Sequence, residues 1–253
     1  MKTEHNDNRL GISGSFVIAA IGSDGIILAS ESRANIFDRN DHLQSPIAYY
    51  DTIQKVFPKE NFAVAETGQG VIANVFFSSI IEDFYQKLES CEPKDVLKAF
   101  IEYVNKFVPK EIQQELFRQK LFSGGYFNSE PTICYFNNVQ QPNFGCITDG
   151  FIQSDKTIFG DSYSINMTCQ ELSDLAVSSI TEYASHHDRW KTIGGPISVL
   201  KIIELDTEWI LNEPECQRWK YVNEFKESIK RKEVNISLVE PNTIEDLHKT
   251  FGI

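Results

Sequence analysis

The chain has 253 residues, of which 41% are hydrophobic and 24% are charged, and its formal net charge is −12. These fractions are typical of a globular protein that is long enough to bury a sizeable core. The acidic balance argues against a nucleic-acid partner, because binding the phosphate backbone depends on clustered lysine and arginine. No apolar run approaches the roughly 18 residues that a bilayer span requires, which argues against a membrane partner.

The five cysteines are odd in number and scattered, and no Cys-x-x-Cys pair is present. This pattern favours reduced thiols in a cytoplasmic protein over a disulfide framework or a zinc site. Neither a metal nor another cofactor is therefore expected. Residues 1–14 are polar and lack the apolar core of a signal peptide, so they are interpreted as a flexible leader or propeptide.

Short apolar runs between turn signals predict strands, and apolar residues at spacings of three to four predict helices. In chain order the prediction is strands at 16–21 and 26–29, a long loop at 35–50, strands at 52–57 and 61–66, helices at 71–88 and 93–108, a weaker helical tail at 111–120, strands at 121–127, 131–136 and 144–152, a helix at 168–187, strands at 197–203 and 209–211, a helix at 214–231 and a last short helix after 243.

Strands and helices occur in separate runs, which favours an α+β fold over alternating βαβ units. Two antiparallel sheets stacked face to face, with helices on both outer faces, would bury every apolar stripe. The predicted fold class is therefore an α+β, four-layer αββα sandwich. Residues 15–205 would form this domain, and residues 206–253 would form a helical extension packed on it.

Three stretches share the order and spacing of a known family. They are the run Ile26-Ile27-Leu28-Ala29-Ser30-Glu31-Ser32-Arg33-Ala34 with the later Lys55-Val56, the segment 121–136, and the segment from Ser185 through Gly194-Gly195 to Ile203. Together they resemble the proteasome-like family of N-terminal nucleophile (Ntn) hydrolases, which includes 20S proteasome subunits and related bacterial peptidases. The resemblance spans about residues 14–203 and implies the Ntn hydrolase form of the four-layer sandwich.

The resemblance also implies a nucleophile and its supporting residues. Ser15 falls at the position of the N-terminal nucleophile, where threonine is usual and serine is chemically competent. Gly14 falls at the self-cleavage junction. Glu31, Arg33 and Lys55 match the acidic, arginine and lysine positions of catalytic subunits.

Further positions match more loosely. Gly68, Gln69 and Gly70 match the turn whose backbone N–H groups form the oxyanion hole. Asp188 matches the aspartate of the final triad, and Ser162 matches the serine that supports the terminal amine. The run His186-His187-Asp188 could also suggest a metal site or a catalytic dyad, but at a helix end it is better interpreted as a capping and surface feature.

These groups would perform amide hydrolysis through an acyl-enzyme. Ser15 would attack the Gly14 carbonyl, and hydrolysis of the resulting ester would free an α-amino group with a reference pKa near 7.7–8.0, suited to act as a base. The Lys55 ammonium would lower that pKa by like-charge repulsion, and Glu31 would hold the lysine charged and in place.

The predicted function is a self-processing peptidase in a homo-oligomeric ring that acts on peptides or unfolded proteins, with an ATP-dependent unfoldase as a candidate partner. Two alternatives remain. The chain could be a non-catalytic ring subunit with a structural or gating role, in which Gly14-Ser15 stays uncut and Glu31 and Lys55 form a structural pair. It could also be a stand-alone Ntn amidase acting on a small substrate.

Overall fold

The computed structural model describes residues 10–14, 16–40, 45–89, 91–107, 119–137, 143–154, 158–187, 193–214, 219–239 and 241–252. The strands within these ranges are β1 (Leu10–Ser13), β2 (Val17–Gly22), β3 (Gly25–Glu31), β4 (Ala34–Asp38), β5 (Pro46–Tyr50), β6 (Val56–Lys59), β7 (Phe62–Thr67), β8 (Val71–Ile72), β9 (Val75–Phe76), β10 (Lys120–Phe127), β11 (Glu130–Asn137), β12 (Asn143–Ile147), β13 (Phe151–Gln153), β14 (Ile197–Ile203), β15 (Asp206–Leu211) and β16 (Ser237–Leu238). The helices are α1 (Phe77–Lys87), α2 (Val96–Phe107), α3 (Phe159–Ser162), α4 (Cys169–His187), α5 (Val222–Lys230) and α6 (Ile244–Phe251).

Two five-stranded antiparallel sheets form the centre of the molecule, in the orders β13-β2-β3-β14-β15 and β12-β11-β10-β7-β6. Their facing sides share one apolar core, to which β3 contributes Ile26 and Leu28. The alternate residues Ile27 and Ala29 pack with α4 on the other side of the same sheet. β3 is therefore buried on both faces, which explains its continuous apolar run. Helices α1 and α2 cover the outer side of the second sheet.

The predicted two-sheet, four-layer sandwich is wrong as the fold class. The described chain is mostly β and forms four sheets, because a four-stranded sheet of order β1-β4-β5-β16 and the small β8-β9 pair accompany the two central ones. The four-stranded sheet has its own core, which it shares with α5 and α6. Its strands come from the segment before Ser15, from residues 34–50 and from the C-terminal region, where the sequence analysis predicts no strand.

The segment before Ser15 contributes β1 to this additional sheet. β1 pairs in antiparallel register with β4, from Leu10 opposite Asp38 to Ser13 opposite Asn35. Leu10 and Ile12 are buried in the core beneath. The expected flexibility of residues 1–14 therefore does not extend to residues 10–14, and the first nine residues lie outside the described part of the chain.

Two local predictions are also wrong. Within residues 35–50, predicted as a loop, β4 and β5 form an antiparallel pair, because their alternating apolar residues face the additional core. The helix predicted from residue 71 begins at Phe77, because Ala73 and Asn74 adopt φ angles of 50° and 64° in a left-handed turn between β8 and β9. The predicted tail at 111–120 lies almost entirely outside the described residues.

A disulfide joins Cys134 and Cys146, which lie directly opposite each other on β11 and β12. The expectation that the cysteines are reduced is wrong for this pair. The eleven residues between them give no sign of the pairing, which follows from the strand register. Separately, no helix in the described part of the chain is long and apolar enough to cross a membrane.

Candidate active site

The predicted nucleophile, Ser15, lies outside the described residues, as does Asp188. The structure does describe both chain neighbours of Ser15, namely Gly14 at the end of the β1 segment and Phe16 immediately before β2. Three of the residues predicted around Ser15, namely Glu31, Lys55 and Arg33, form one connected group beside Phe16. We call Glu31, Lys55 and Arg33 the polar corner.

Glu31 is the centre of the polar corner. It ends β3, and its side chain is buried. Oε1 accepts hydrogen bonds from the Phe16 N–H at 3.1 Å and from the Lys55 ammonium. Oε2 accepts from the backbone N–H groups of Arg33 at 2.6 Å and Gly194 at 3.2 Å. Four donors thus satisfy the hydrogen-bonding capacity of this buried carboxylate and replace the water that burial removes.

Lys55 reaches the polar corner from the segment that leads into β6. Its side chain is fully buried, and Nζ donates to Glu31 Oε1 and, at 2.6 Å, to the backbone carbonyl of Arg33. A buried ion pair contributes little net stability, because desolvating both charges offsets their attraction. Removing one partner is nevertheless costly, since the other is left buried and uncompensated. Such a pair is therefore a candidate for a functional role.

Arg33 anchors the outer side of the polar corner. Its guanidinium makes a two-pronged ion pair with Asp51, with Nε–Oδ1 at 2.6 Å and Nη2–Oδ2 at 2.8 Å, and it lies 3.9 Å from the centre of the Tyr49 ring. Gly194 passes so close that a Cβ there would lie 2.7 Å from the guanidinium carbon. A side chain at position 194 would therefore press on the Arg33 guanidinium and disturb its ion pair with Asp51.

The turn Gly68–Gly70, predicted as the oxyanion hole, lies directly beside the segment before Ser15. Ser13 and Gln69 form an isolated antiparallel bridge, in which Gly14 N–H donates to Gly68 O at 3.2 Å and Gly70 N–H donates to Ile12 O at 2.9 Å. The structure thus brings the predicted junction and the predicted turn together. The Gly70 N–H is already occupied by this segment.

Glu66 and Gln119 are buried polar residues that the sequence analysis missed. Glu66 is fully buried on β7, and burial raises the pKa of its carboxyl to about 8, with Glu31 adding to the rise and Lys55 opposing it. Gln119 precedes β10 and donates from Nε2 to Gln69 O at 2.5 Å. A single polar residue in a short apolar strand forms no recognisable motif. The acidic residue in the run Phe62–Thr67 is nevertheless a sequence signal that points to Glu66.

Ser154 is a third residue that the sequence analysis missed. Its hydroxyl accepts from Val17 N–H at 3.1 Å, its own N–H donates to Val17 O at 2.9 Å, and its carbonyl accepts from Lys120 Nζ at 2.9 Å. These bonds fix the chain two residues beyond Ser15.

The predicted supporting residue Ser162 is exposed on α3, and the structure does not bring it to the polar corner. The next residue, Tyr163, donates its hydroxyl to Ile21 O at 2.7 Å, near the end of β2 that lies away from Phe16. For His186 and His187 the structure describes only the helical backbone. Among the described residues, no group of three or more His, Cys, Asp or Glu side chains is arranged to hold a metal ion.

No family model matches the sequence, and no curated protein matches it either. In structure the chain is similar to an Anbu (Gly-1) mutant from Hyphomicrobium sp. strain MC1, with 14% sequence identity and a TM-score of 0.55 over 87% of this chain and 96% of that chain. A likeness at this identity shows the fold alone. The membership in the proteasome-like family predicted from the sequence is therefore wrong as stated, because the comparisons show a similar fold and no family.

Proposed function

We propose that this chain is a self-processing amide hydrolase that uses the hydroxyl of Ser15 to cut the Gly14–Ser15 bond and then to hydrolyse peptide bonds. The proposal depends on one observation. Glu31 Oε1 accepts a hydrogen bond from the Phe16 N–H and another from the Lys55 ammonium. Because Phe16 directly follows Ser15 in the chain, the buried ammonium is held beside the residue next to the proposed nucleophile.

The chemistry of this proposal is a balanced acyl transfer. The Ser15 hydroxyl oxygen attacks the Gly14 carbonyl carbon, the C–N bond breaks, and the proton moves to the departing nitrogen, which becomes the α-amino group of Ser15. Water then hydrolyses the ester, so that Gly14 keeps a carboxylate and Ser15 regains its hydroxyl. The freed amine has a reference pKa near 7.7–8.0 and can accept the hydroxyl proton in later turnovers.

The other contacts of the site suit this reaction. Hydrogen bonds from Gly14 N–H to Gly68 O and from Gly70 N–H to Ile12 O hold the residues before the proposed scissile bond. After cleavage, departure of that segment would release the Gly70 N–H to stabilise the oxyanion of a substrate. One such donor is worth about 2.7–4 kcal/mol of transition-state stabilisation in other hydrolases.

A second candidate function is a non-catalytic, structural subunit, and β1 is the observation that favours it. The strand is paired with β4 and contributes Leu10 and Ile12 to the additional core. Removing it would expose apolar surface and leave an edge of β4 unpaired. In this case Glu31 and Lys55 are a structural pair, and the leader stays covalently attached.

The proposal includes assembly with further copies into a ring in the cytoplasm, with unfolded proteins as substrates and an ATP-dependent unfoldase as partner. A native mass at a discrete multiple of the subunit mass, which is 28.9 kDa before cleavage, would support the ring. A monomer that hydrolyses small amides would instead favour a stand-alone amidase.

Intact-mass measurement of the purified protein under denaturing conditions tests the proposed cleavage. Denaturation is required because β1 could stay bound to its sheet after the bond is cut. The proposal predicts the loss of residues 1–14 in the wild type and a full-length mass in Ser15→Ala. A full-length wild-type mass after assembly would favour the structural subunit.

A further inference from the structure

Glu66 is a buried acid that the proposed reaction does not use. Its Oε2 meets no hydrogen-bond donor among the residues that the structure describes. A buried polar atom without a partner costs free energy, so its presence calls for an explanation. The side chain lies among apolar neighbours of β7 and β10, where Leu121 stands opposite it.

Glu66 lies directly across from Lys55. The β6–β7 register places Val56 opposite Ala65, and the Glu66 N–H donates to Lys55 O at 3.0 Å, which extends the ladder by one pair. Residues opposite each other in an antiparallel pair have their side chains on the same face of the sheet. The side chain of Lys55 therefore lies on the same face of this strand pair as Glu66, while its ammonium binds Glu31.

Of the ionisable groups in the described part of the chain, Lys55 and Glu31 act on Glu66, whereas its neighbour on β10 is the uncharged Leu121. Burial and the charge of Glu31 together outweigh the attraction of Lys55, so the pKa of Glu66 rises to about 8. At neutral pH Glu66 is therefore neutral and adds no charge to the Lys55–Glu31 ion pair. Once Glu66 ionises, it adds one negative charge beside this pair.

We propose that Glu66 is a positioning residue for Lys55: in its neutral form it leaves the ammonium bound to Glu31, and in its ionised form it draws the ammonium away from Glu31. The proton that Glu66 loses passes to solvent, and the group of three side chains then carries one net negative charge. The effect on turnover rests on the proposed function, whereas the effect on the Lys55 ammonium does not.

The test on the ammonium uses protein with ¹⁵N-labelled lysine, in which the Lys55 Nζ signal is assigned by its loss in Lys55→Arg. In the wild type the signal moves between pH 7 and pH 9, as Glu66 ionises. In Glu66→Gln, which is neutral at every pH, this movement is absent. Glu60→Gln is the matched control, since Glu60 is an exposed glutamate in the turn of the same hairpin. Identical titrations in the wild type and Glu66→Gln would overturn the inference.

The test on turnover follows hydrolysis of fluorescently labelled casein, an unfolded protein, from pH 6 to pH 10. The wild type and Glu60→Gln lose activity above about pH 8, whereas Glu66→Gln does not, with a difference on the order of tenfold at pH 9.5. A shared alkaline limb in all three proteins would overturn the positioning role. The remaining outcome is that none of the three proteins cleaves casein, while the pH titration of the Lys55 Nζ signal still differs between the wild type and Glu66→Gln. In that case the proposed function is wrong, and the effect of Glu66 on the Lys55 ammonium is still supported.

Discussion

Replacing Glu66 by glutamine should change how the stability of the protein depends on pH. An unfolded glutamate ionises near its ordinary pKa of 4.5, whereas folded Glu66 keeps its proton up to about pH 8. Between these values the folded state binds more protons than the unfolded state, so the free energy of unfolding falls as the pH rises. Glu66→Gln removes this difference because its amide does not titrate.

The expected magnitude follows from the gap between the two pKa values. Each unit of pKa is worth about 1.4 kcal/mol, so Glu66 costs the folded state on the order of 5 kcal/mol by pH 8. Glu66→Gln should match the wild type near pH 4.5 and become progressively more stable relative to it up to pH 8. The side chain is fully buried, so solvent does not screen the effect.

Urea unfolding followed by tryptophan fluorescence, at several values between pH 4.5 and pH 8.5, measures this difference. Glu60→Gln serves as the control, because an exposed glutamate should leave the pH dependence unchanged. Parallel stability curves for the wild type and Glu66→Gln would refute the assignment of Glu66 as a buried, proton-holding acid.

Three further predictions concern the polar corner and the leader. Lys55→Met should lower the free energy of unfolding by about 3–5 kcal/mol, because Glu31 is left buried without its ammonium partner. The double variant Lys55→Met, Glu31→Gln should recover most of this loss. Equal stability of the wild type and Lys55→Met would contradict a buried ion pair. Gly195→Ala should destabilise the protein by roughly 1 kcal/mol or more beyond the control Gly150→Ala. Both positions have positive φ, but the new Cβ lies 2.7 Å from Ser32 Oγ at position 195 and in open space at position 150. Equal decreases in melting temperature for the two variants would argue against the close approach to Ser32. Leu10→Ala should lower the free energy of unfolding of the uncleaved chain by about 2–5 kcal/mol, as measured by urea unfolding. A change near zero would show that β1 does not stabilise the additional core.

The sequence predicted the central sheets better than the additional one. Residues 26–29, for example, are all apolar and directly follow a turn signal, so the strand that contains them could be recognised locally. The additional sheet is assembled from four short strands in separate parts of the chain, namely Leu10–Ser13, Ala34–Asp38, Pro46–Tyr50 and Ser237–Leu238. Each piece is too short or too polar to be recognised alone, and their shared core exists only after long-range pairing.

The candidate active site could be predicted only in part. Glu31, Arg33 and Lys55 followed from the resemblance, and the structure brings them together. Glu66, Asp51 and Ser154 reach the site through strand register and loop closure, which no local spacing reveals. The residues around Ser162 in the sequence do not reveal its position in the fold. The structure places α3 near the end of β2 that lies away from Phe16 and the polar corner.

The intact mass of purified, assembled protein under denaturing conditions tests the proposed hydrolase most directly. The proposal predicts a chain that begins at Ser15 and a separate peptide of residues 1–14, with cleavage abolished in Ser15→Ala. A full-length wild-type chain would contradict self-processing and would make the Glu31–Lys55 pair part of the structural framework.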